Sequence, residues 1–399
     1  MLETLIIITF ILAPAYVVKF NFLHFPTDVL MMWIFLVWVI FYGWLIIKKK
    51  FGDFINFKEH IDTKLAIFIV LFLLAGIISM FVGGGFDRAK LGQFIVLFLQ
   101  PISMFSIAGY VFKEKPETKA CLLSTAYCLL AIAGAYGIIQ YFTLLGLPMA
   151  WWGNSVEPKR ALSFFVHPNF YALWCAPLLA LLIPDLMQAV KSEKLKVKSI
   201  KVVAWVIGGA GLLLSLSRSG WLGLAAAIAV YLIFAADAKI RKIIFTSILF
   251  IIIVVFSVPN LRWRVILPFY GEKSAVSRIS LWRDGISGVK DSPILGLGLT
   301  GFGKDYGYLN TDPNLDTHNF PHNIFLNFWV ETGLLGLISF LGIAYLYIYR
   351  GLKNRQNIFA LGVALFLIAL IAQGMVDNPY FKNDLALVFW LILALSQSF

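Results

Sequence analysis

Apolar residues in this chain fall into long runs separated by short polar stretches, with neither strand-like alternation nor a heptad seam. A helix rises 1.5 Å per residue, so about 20 apolar residues cross a bilayer core. On that measure the runs predict twelve spans, at about 2–18, 27–47, 65–82, 92–112, 120–145, 170–190, 202–216, 219–236, 243–258, 323–348, 358–376 and 385–398. The seventh and eighth meet at Ser217-Arg218-Ser219-Gly220 with almost no loop, and the last is short. The expected fold is an all-α polytopic membrane protein with about 12 transmembrane helices. Its expected divisions are spans 1–9 in 1–258, a helical loop subdomain in 259–322 and spans 10–12 in 323–399.

Composition agrees. The 399 residues are 60% hydrophobic and only 14% charged, where a soluble domain carries about 25% charged residues. A soluble enzyme and a disordered chain are both excluded. The net charge of +12 suits a membrane protein, whose cytoplasmic loops are rich in Lys and Arg; it does not call for nucleic acid. With the N-terminus inside, the inside connections hold 19 of the 33 Lys and Arg, led by Lys48-Lys49-Lys50 and the run from Lys191 to Lys201. Both termini are therefore expected in the cytoplasm. Ala13-Pro14-Ala15 has the look of a cleavage site but follows no basic segment, so the start reads as the first membrane helix. Cys121, Cys128 and Cys175 sit inside apolar runs and read as small packing residues, not as disulfides or zinc ligands.

Two polar segments stand out on the outside face, 146–169 and 259–322. Loops of such length tend to carry function. In the longer one, Ile279, Trp282 and Ile286 follow helical spacing among polar residues, which predicts a helix lying on the membrane surface.

Arg218 interrupts an apolar run, and an Arg deep in a bilayer is costly. It serves either headgroups at a tight turn or a bound phosphate, which guanidinium matches bidentately. Arg278 and Arg283 lie on the predicted surface helix, Arg160 precedes His167-Pro168-Asn169, and Arg88 and Lys90 flank Gly83-Gly84-Gly85. Together these cations suit a lipid-linked phosphate or pyrophosphate. His318 and His322 bracket Asn319-Phe320-Pro321 just before span ten. Their spacing could hold a metal, but Pro321 breaks the helix and no third ligand is evident. His322 is either a general base or an interfacial cap. Asp377, in Asp377-Asn378-Pro379-Tyr380, could orient His322, pair with an arginine or simply form a turn. Glu331 lies inside an apolar helix and should face protein or water rather than lipid.

Ser217-Arg218-Ser219-Gly220-Trp221 between two spans, the long outside loop, and His322-Asn323 leading into Glu331-Thr332-Gly333-Leu334-Leu335-Gly336 resemble the O-antigen ligase family. Its superfamily also holds O-antigen polymerases and bacterial protein O-oligosaccharyltransferases. The resemblance covers roughly 150–385 and implies a glycosyltransferase of the bacterial inner membrane. Its active site would be periplasmic, and 259–322 would be a periplasmic subdomain. Such an enzyme, acting without a metal or other cofactor, moves a glycan from undecaprenyl pyrophosphate to lipid A-core with inversion. The resemblance places His322, Arg278 and Arg218 in catalysis. It places Asp377 and the stretch from Arg160 to Asn169 at family positions; Arg88 and His318 are added as substrate-binding candidates from their location.

The residue types suit that chemistry. A pyrophosphate leaving group needs its developing charge stabilised, by a metal or by fixed cations. Arginine stays protonated, which leaves His322 to accept the acceptor hydroxyl's proton. The sequence separates ligase, polymerase and protein glycosylase poorly. A transporter or flippase would show a repeat between halves and ionisable residues at mid-membrane; no such repeat is evident, and the ionisable residues gather at one face.

Overall fold

The computed structural model describes residues 1–22, 25–58, 62–154, 158–191, 195–266, 273–305 and 320–397. The first run folds as α1 (Leu2–Leu12) and a 3-10 turn at Ala13–Val17, shortened because Pro14 has no N–H for a continuing ladder. An antiparallel ribbon follows, β1 (Lys19–Phe22) with β2 (Phe25–Asp28). It is the one departure from an all-α chain among the described residues. Asp28 then caps α2 (Val29–Ile47), its carboxylate accepting from Met31 N at 2.7 Å.

Next come α3 (Phe51–Lys58), α4 (Thr63–Phe81) and α5 (Arg88–Phe94), which passes through a π-turn at Ile95–Leu99 into α6 (Gln100–Glu114). α7 (Glu117–Thr143) leads to α8 (Pro168–Leu181) and α9 (Ile183–Lys191), a pair bent by 43°. α10 (Leu195–Leu214), α11 (Arg218–Phe234), α12 (Ala238–Ser257), α13 (Pro259–Ile266), α14 (Lys273–Asp291) and α15 (Gly301–Asp305) follow, then α16 (Ile324–Lys353), α17 (Ile358–Gly374) and α18 (Asn383–Ala394).

Each predicted apolar run thus folds as helix, but the twelve differ in reach. Six described helices are long and apolar enough to cross a membrane, the bent α8–α9 pair could make a seventh, and five runs form helices of 10–17 residues. The chain is a multi-pass membrane protein, and its helices show lipid-facing sides: Phe245, Leu249, Ile252, Ile253 and Phe256 on α12 are all exposed. Of the cysteines, Cys175 is buried as expected, whereas Cys121 and Cys128 are exposed on α7.

The chain divides into two compact units. One comprises 1–125, 280–349 and 377–399; the other comprises 126–279 and 350–376. In the first, α18 packs along α6, and Phe328, Phe340, Tyr380 and Phe389 form a buried aromatic cluster. In the second, α8, α11 and α17 pack together around Ala180, Ala227, Leu365 and Ala369. Gly223 brings α11 against the α17 backbone, where a Cβ would lie 2.6 Å from the Ala369 carbonyl oxygen. The α8–α9 bend follows from Pro184, whose missing N–H frees a carbonyl of the preceding turn. Nearby carbonyls are served from neighbouring helices: Trp205 Nε1 donates to Leu179 O at 3.0 Å and Tyr127 to Leu182 O at 3.4 Å.

α14 covers the predicted stretch, but its buried face is Ser277, Leu281, Gly285 and Gly288. Ile279 and Ile286 are exposed, and Trp282 is half-buried. Small residues let this helix seat closely, a Cβ at Gly285 meeting Pro321 at 3.1 Å, so the packed face is the less apolar one.

Candidate active site

Each unit carries one of the clusters that the sequence analysis singled out. In the first, His322 precedes α16 and Asp377 lies in the turn before α18. The His322 Nδ1 is 3.1 Å from Asp377 Oδ1. Asp377 also accepts from the Asn378 backbone N–H at 3.0 Å, and its side chain is almost wholly buried while that of His322 is 23% exposed. A carboxylate receiving Nδ1–H fixes the tautomer, so the lone pair is left on Nε2. Of the readings open for Asp377, the geometry shows a contact with His322 and one with its own turn.

His322 itself takes a left-handed backbone, φ 47°, a conformation uncommon outside glycine. It does not cap α16. Asn323 does, its Oδ1 accepting from Phe325 N at 3.0 Å and Leu326 N at 3.1 Å. Trp282 Nε1 donates to the His322 carbonyl at 3.3 Å, tying α14 to the histidine. Two groups that the sequence did not single out hold the Asp377 turn. The Tyr380 hydroxyl donates to Leu97 O at 2.6 Å and accepts from Trp390 Nε1 at 3.0 Å. Leu97 O is the acceptor that an N–H at Pro101 would serve in an unbroken α-helix, and that proline was the available signal.

Glu331 is buried against protein, as its place in an apolar helix required. Its carboxylate accepts from Thr300 N at 2.5 Å and Phe302 N at 3.3 Å, capping α15. Two residues on, Gly333 (φ 69°, ψ −175°) breaks α16 in a conformation open essentially to glycine. The break exposes peptide groups that the 292–300 segment uses: Leu297 N donates to Val330 O at 2.6 Å and Leu334 N to Ile294 O at 2.9 Å. Trp329 Nε1 adds a bond to Pro293 O at 2.7 Å. Glu331-Thr332-Gly333 is therefore a staple between a membrane helix and the loop before His322.

The same unit places two of the predicted cations. Lys90 is fully buried and its ammonium binds the Val82, Gly83 (2.7 Å) and Gly85 (2.8 Å) carbonyls that end α4, so its charge is spent on a helix terminus. Arg88 is exposed in the first turn of α5, where Asp87 pairs with Lys304 at 2.7 Å. His318 lies outside the described residues, as does part of the 259–322 subdomain.

In the second unit, Arg160 joins the residues expected around it. Its Nε donates to Ser215 O at 2.9 Å and its Nη2 to Asn169 Oδ1 at 2.6 Å. Its guanidinium lies over Trp151, 5.6 Å from the ring centroid, and Trp151 meets the His167 ring edge-on at 4.6 Å. His167 caps α8, its Nδ1 accepting from Asn169 N at 3.0 Å. Ser215 opens the tight turn 215–217, where Leu216 has φ 52°, and Arg218 is the first residue of α11. Arg160 is thus bonded both to Asn169 and to the turn that precedes Arg218. Arg278 is half-buried on α14. Trp151 was the residue missed here; the aromatic Trp151-Trp152 pair was the visible signal.

Among the described residues, no three His, Cys, Asp or Glu side chains gather as a metal site. No curated protein matches the chain. Residues 203–341, about a third of the chain, match the family described as O-antigen ligase. That span holds Arg218, Arg278, His322, Glu331 and Gly333, the residues on which the resemblance rests, and over it the chain is similar to the O-antigen ligase family.

Proposed function

We propose that this protein is a lipid-linked-oligosaccharide-dependent glycosyltransferase, passing a glycan from undecaprenyl pyrophosphate to lipid A-core at the periplasmic face of the inner membrane. The observation that carries the proposal is the His322–Asp377 dyad. His322 Nε2 takes the proton of an acceptor hydroxyl as that oxygen attacks the anomeric carbon. The bond from that carbon to the pyrophosphate oxygen breaks, its electron pair leaves with undecaprenyl pyrophosphate, and the configuration inverts. Positioned bases of this kind contribute roughly 10²- to 10⁴-fold. Arg218 and Arg278 keep the role the resemblance gives them, fixed charge on the pyrophosphate. Arg160 and Asn169 act in substrate binding. Arg88, His318 and Asp377 complete the candidates, Asp377 through His322.

The test is transfer by purified protein from an undecaprenyl-pyrophosphate-linked glycan to lipid A-core, with EDTA present. Glycan on lipid A-core, lost in His322→Ala and cut by about 10²-fold or more in Asp377→Asn, is the expected result. Full activity from well-inserted His322→Ala removes the base. Longer lipid-linked glycans alone would make the protein a polymerase, and transfer to Ser or Thr of a protein would make it a protein glycosylase. Loss of transfer on adding EDTA would overturn the metal-independent scheme.

A further inference from the structure

The far end of α11 carries a cationic cluster that the glycosyl-transfer chemistry does not use. α11 runs 17 residues from Arg218, about 25 Å, so its C-terminus lies towards the opposite membrane face. Its last carbonyls take donors from two other parts of the same unit. Arg241 of α12 donates through Nε to Leu232 O at 3.1 Å, and Arg355, in the turn before α17, donates through Nη1 to Phe234 O at 2.7 Å. The acceptors are two residues apart, so both guanidinium groups sit within about one helical turn. Lys242 stands beside Arg241 in the chain and is exposed, as both arginines are.

The acid of this turn, Asp237, is already engaged. It pairs with Lys191 at 2.6 Å and caps α12 by accepting from Ile240 N at 2.9 Å. Among the described residues, no carboxylate pairs with Arg241, Lys242 or Arg355. α12 supplies an apolar stripe below these charges. Phe245 and Leu249 follow Arg241 at intervals of four, which places all three on one side of the helix, and both are exposed. Ile240 is buried with Tyr231 and Leu361, and Ile244 packs against that core. Beyond Ile244, no described side chain of α12 is buried. The helix is therefore held to the bundle at its cationic end and presents its remaining length to lipid.

We infer that this patch binds an anionic phospholipid, its phosphate against Arg241, Arg355 and Lys242 and an acyl chain along Phe245 and Leu249. A guanidinium has five N–H donors, and each arginine uses one on a carbonyl, so the capping bonds hold the groups in place while other donors meet phosphate oxygens. The apolar stripe leading away from the cations favours a lipid over a free anion. The charge favours a lipid over a second copy of this chain, because burying three cations without acids in a protein interface is costly. Basic pockets between membrane helices take lipid headgroups for the same reasons.

The test uses full-length protein in nanodiscs of equal parts phosphatidylglycerol and phosphatidylcholine, with native mass spectrometry to count the lipids retained on release. Wild type should retain phosphatidylglycerol in preference, and should melt higher in phosphatidylglycerol than in phosphatidylcholine alone. A basic residue near a membrane surface contributes about fivefold in affinity for anionic lipid, so Arg241→Gln and Arg355→Gln should each lower retention by about that factor. Both arginines also cap α11. Lys242→Gln removes charge without uncapping that helix, so it should show a similar loss with melting in phosphatidylcholine unchanged. Lys48→Gln, in the basic run after α2, should retain phosphatidylglycerol as wild type does.

Equal retention of the two lipids by wild type, or an equal loss in Lys48→Gln, would overturn the site. Lower melting of the arginine variants in both lipids, with retention unchanged and Lys242→Gln silent, would make the arginines helix caps and nothing more. Should the arginine variants not insert, Lys242→Gln decides, and unchanged retention refutes the site. Displacement of phosphatidylglycerol by inorganic phosphate would make the ligand a free anion, and dimers that exclude the lipid would make the patch an interface between two copies; either result overturns the lipid assignment.

Discussion

Replacing Glu331 tests the staple between α16 and the loop before His322. The carboxylate is the acceptor for two backbone N–H groups, those of Thr300 and Phe302, and Phe302 is fully buried. Leaving a buried donor unsatisfied costs about 1–3 kcal/mol, so Glu331→Leu should destabilise the 292–305 segment by about 2–5 kcal/mol. Glu331→Gln keeps one acceptor oxygen and should lose about half as much. The assay is limited trypsin digestion in nanodiscs, following cleavage after Lys304, with thermal unfolding alongside. At 1.4 kcal/mol per decade, Glu331→Leu should speed that cleavage by roughly 30-fold or more where local opening limits it. Gly333→Ala should act in the same direction, since a Cβ there would lie 2.8 Å from the Leu295 carbonyl oxygen and the backbone conformation suits glycine. Unchanged cleavage and melting in Glu331→Leu would refute the staple. Equal damage from Gln and Leu would refute the count of acceptors.

Three further outcomes are expected. Arg278→Lys should lower transfer strongly without loss of insertion, because lysine cannot reproduce bidentate contact with a phosphate; full activity in a transfer assay would argue against pyrophosphate recognition there. Tyr380→Phe should cost about 1–3 kcal/mol in thermal unfolding, since Leu97 O loses a donor and Trp390 Nε1 an acceptor in a buried site; an unchanged melt would mean that neither group depends on the hydroxyl. The hydrogen bond from Lys304 holds the Asp87 carboxyl below its usual range, so this pair should stabilise the fold above about pH 4 and lose that effect as pH falls through the lowered folded value. Asp87→Asn should flatten that part of the stability–pH curve, as acid titration of unfolding would measure.

The helices were legible because hydrocarbon thickness imposes a length on apolar runs, and every predicted run is helical. What the runs hid were interruptions that one residue makes: the shortened α1 after Pro14, the bend before Pro184 and the break at Gly333. Apolar counting does not register these, because a missing N–H or a left-handed glycine leaves hydropathy unchanged. The protein-facing side of α14 was hidden for another reason, since close packing there uses Gly285 and Gly288, which carry no apolar side chain to reveal a buried face. Lys90 read as a candidate phosphate ligand because sequence gives charge without giving the hydrogen bonds the ammonium already makes. The pairing of His322 with Asp377 was visible as one of several possibilities; only geometry selected it.

The bond from Tyr380 to Leu97 carries an evolutionary consequence. Pro101 cannot donate to that carbonyl, and a hydroxyl far along the chain stands in for the missing donor. The two positions should therefore be epistatic: Tyr380→Phe should be harmful beside Pro101 and mild in Pro101→Ala, where the backbone can supply its own N–H. Sequences that drift at one of these sites gain freedom at the other, so the turn bearing Asp377 inherits part of its history from a proline in a different helix.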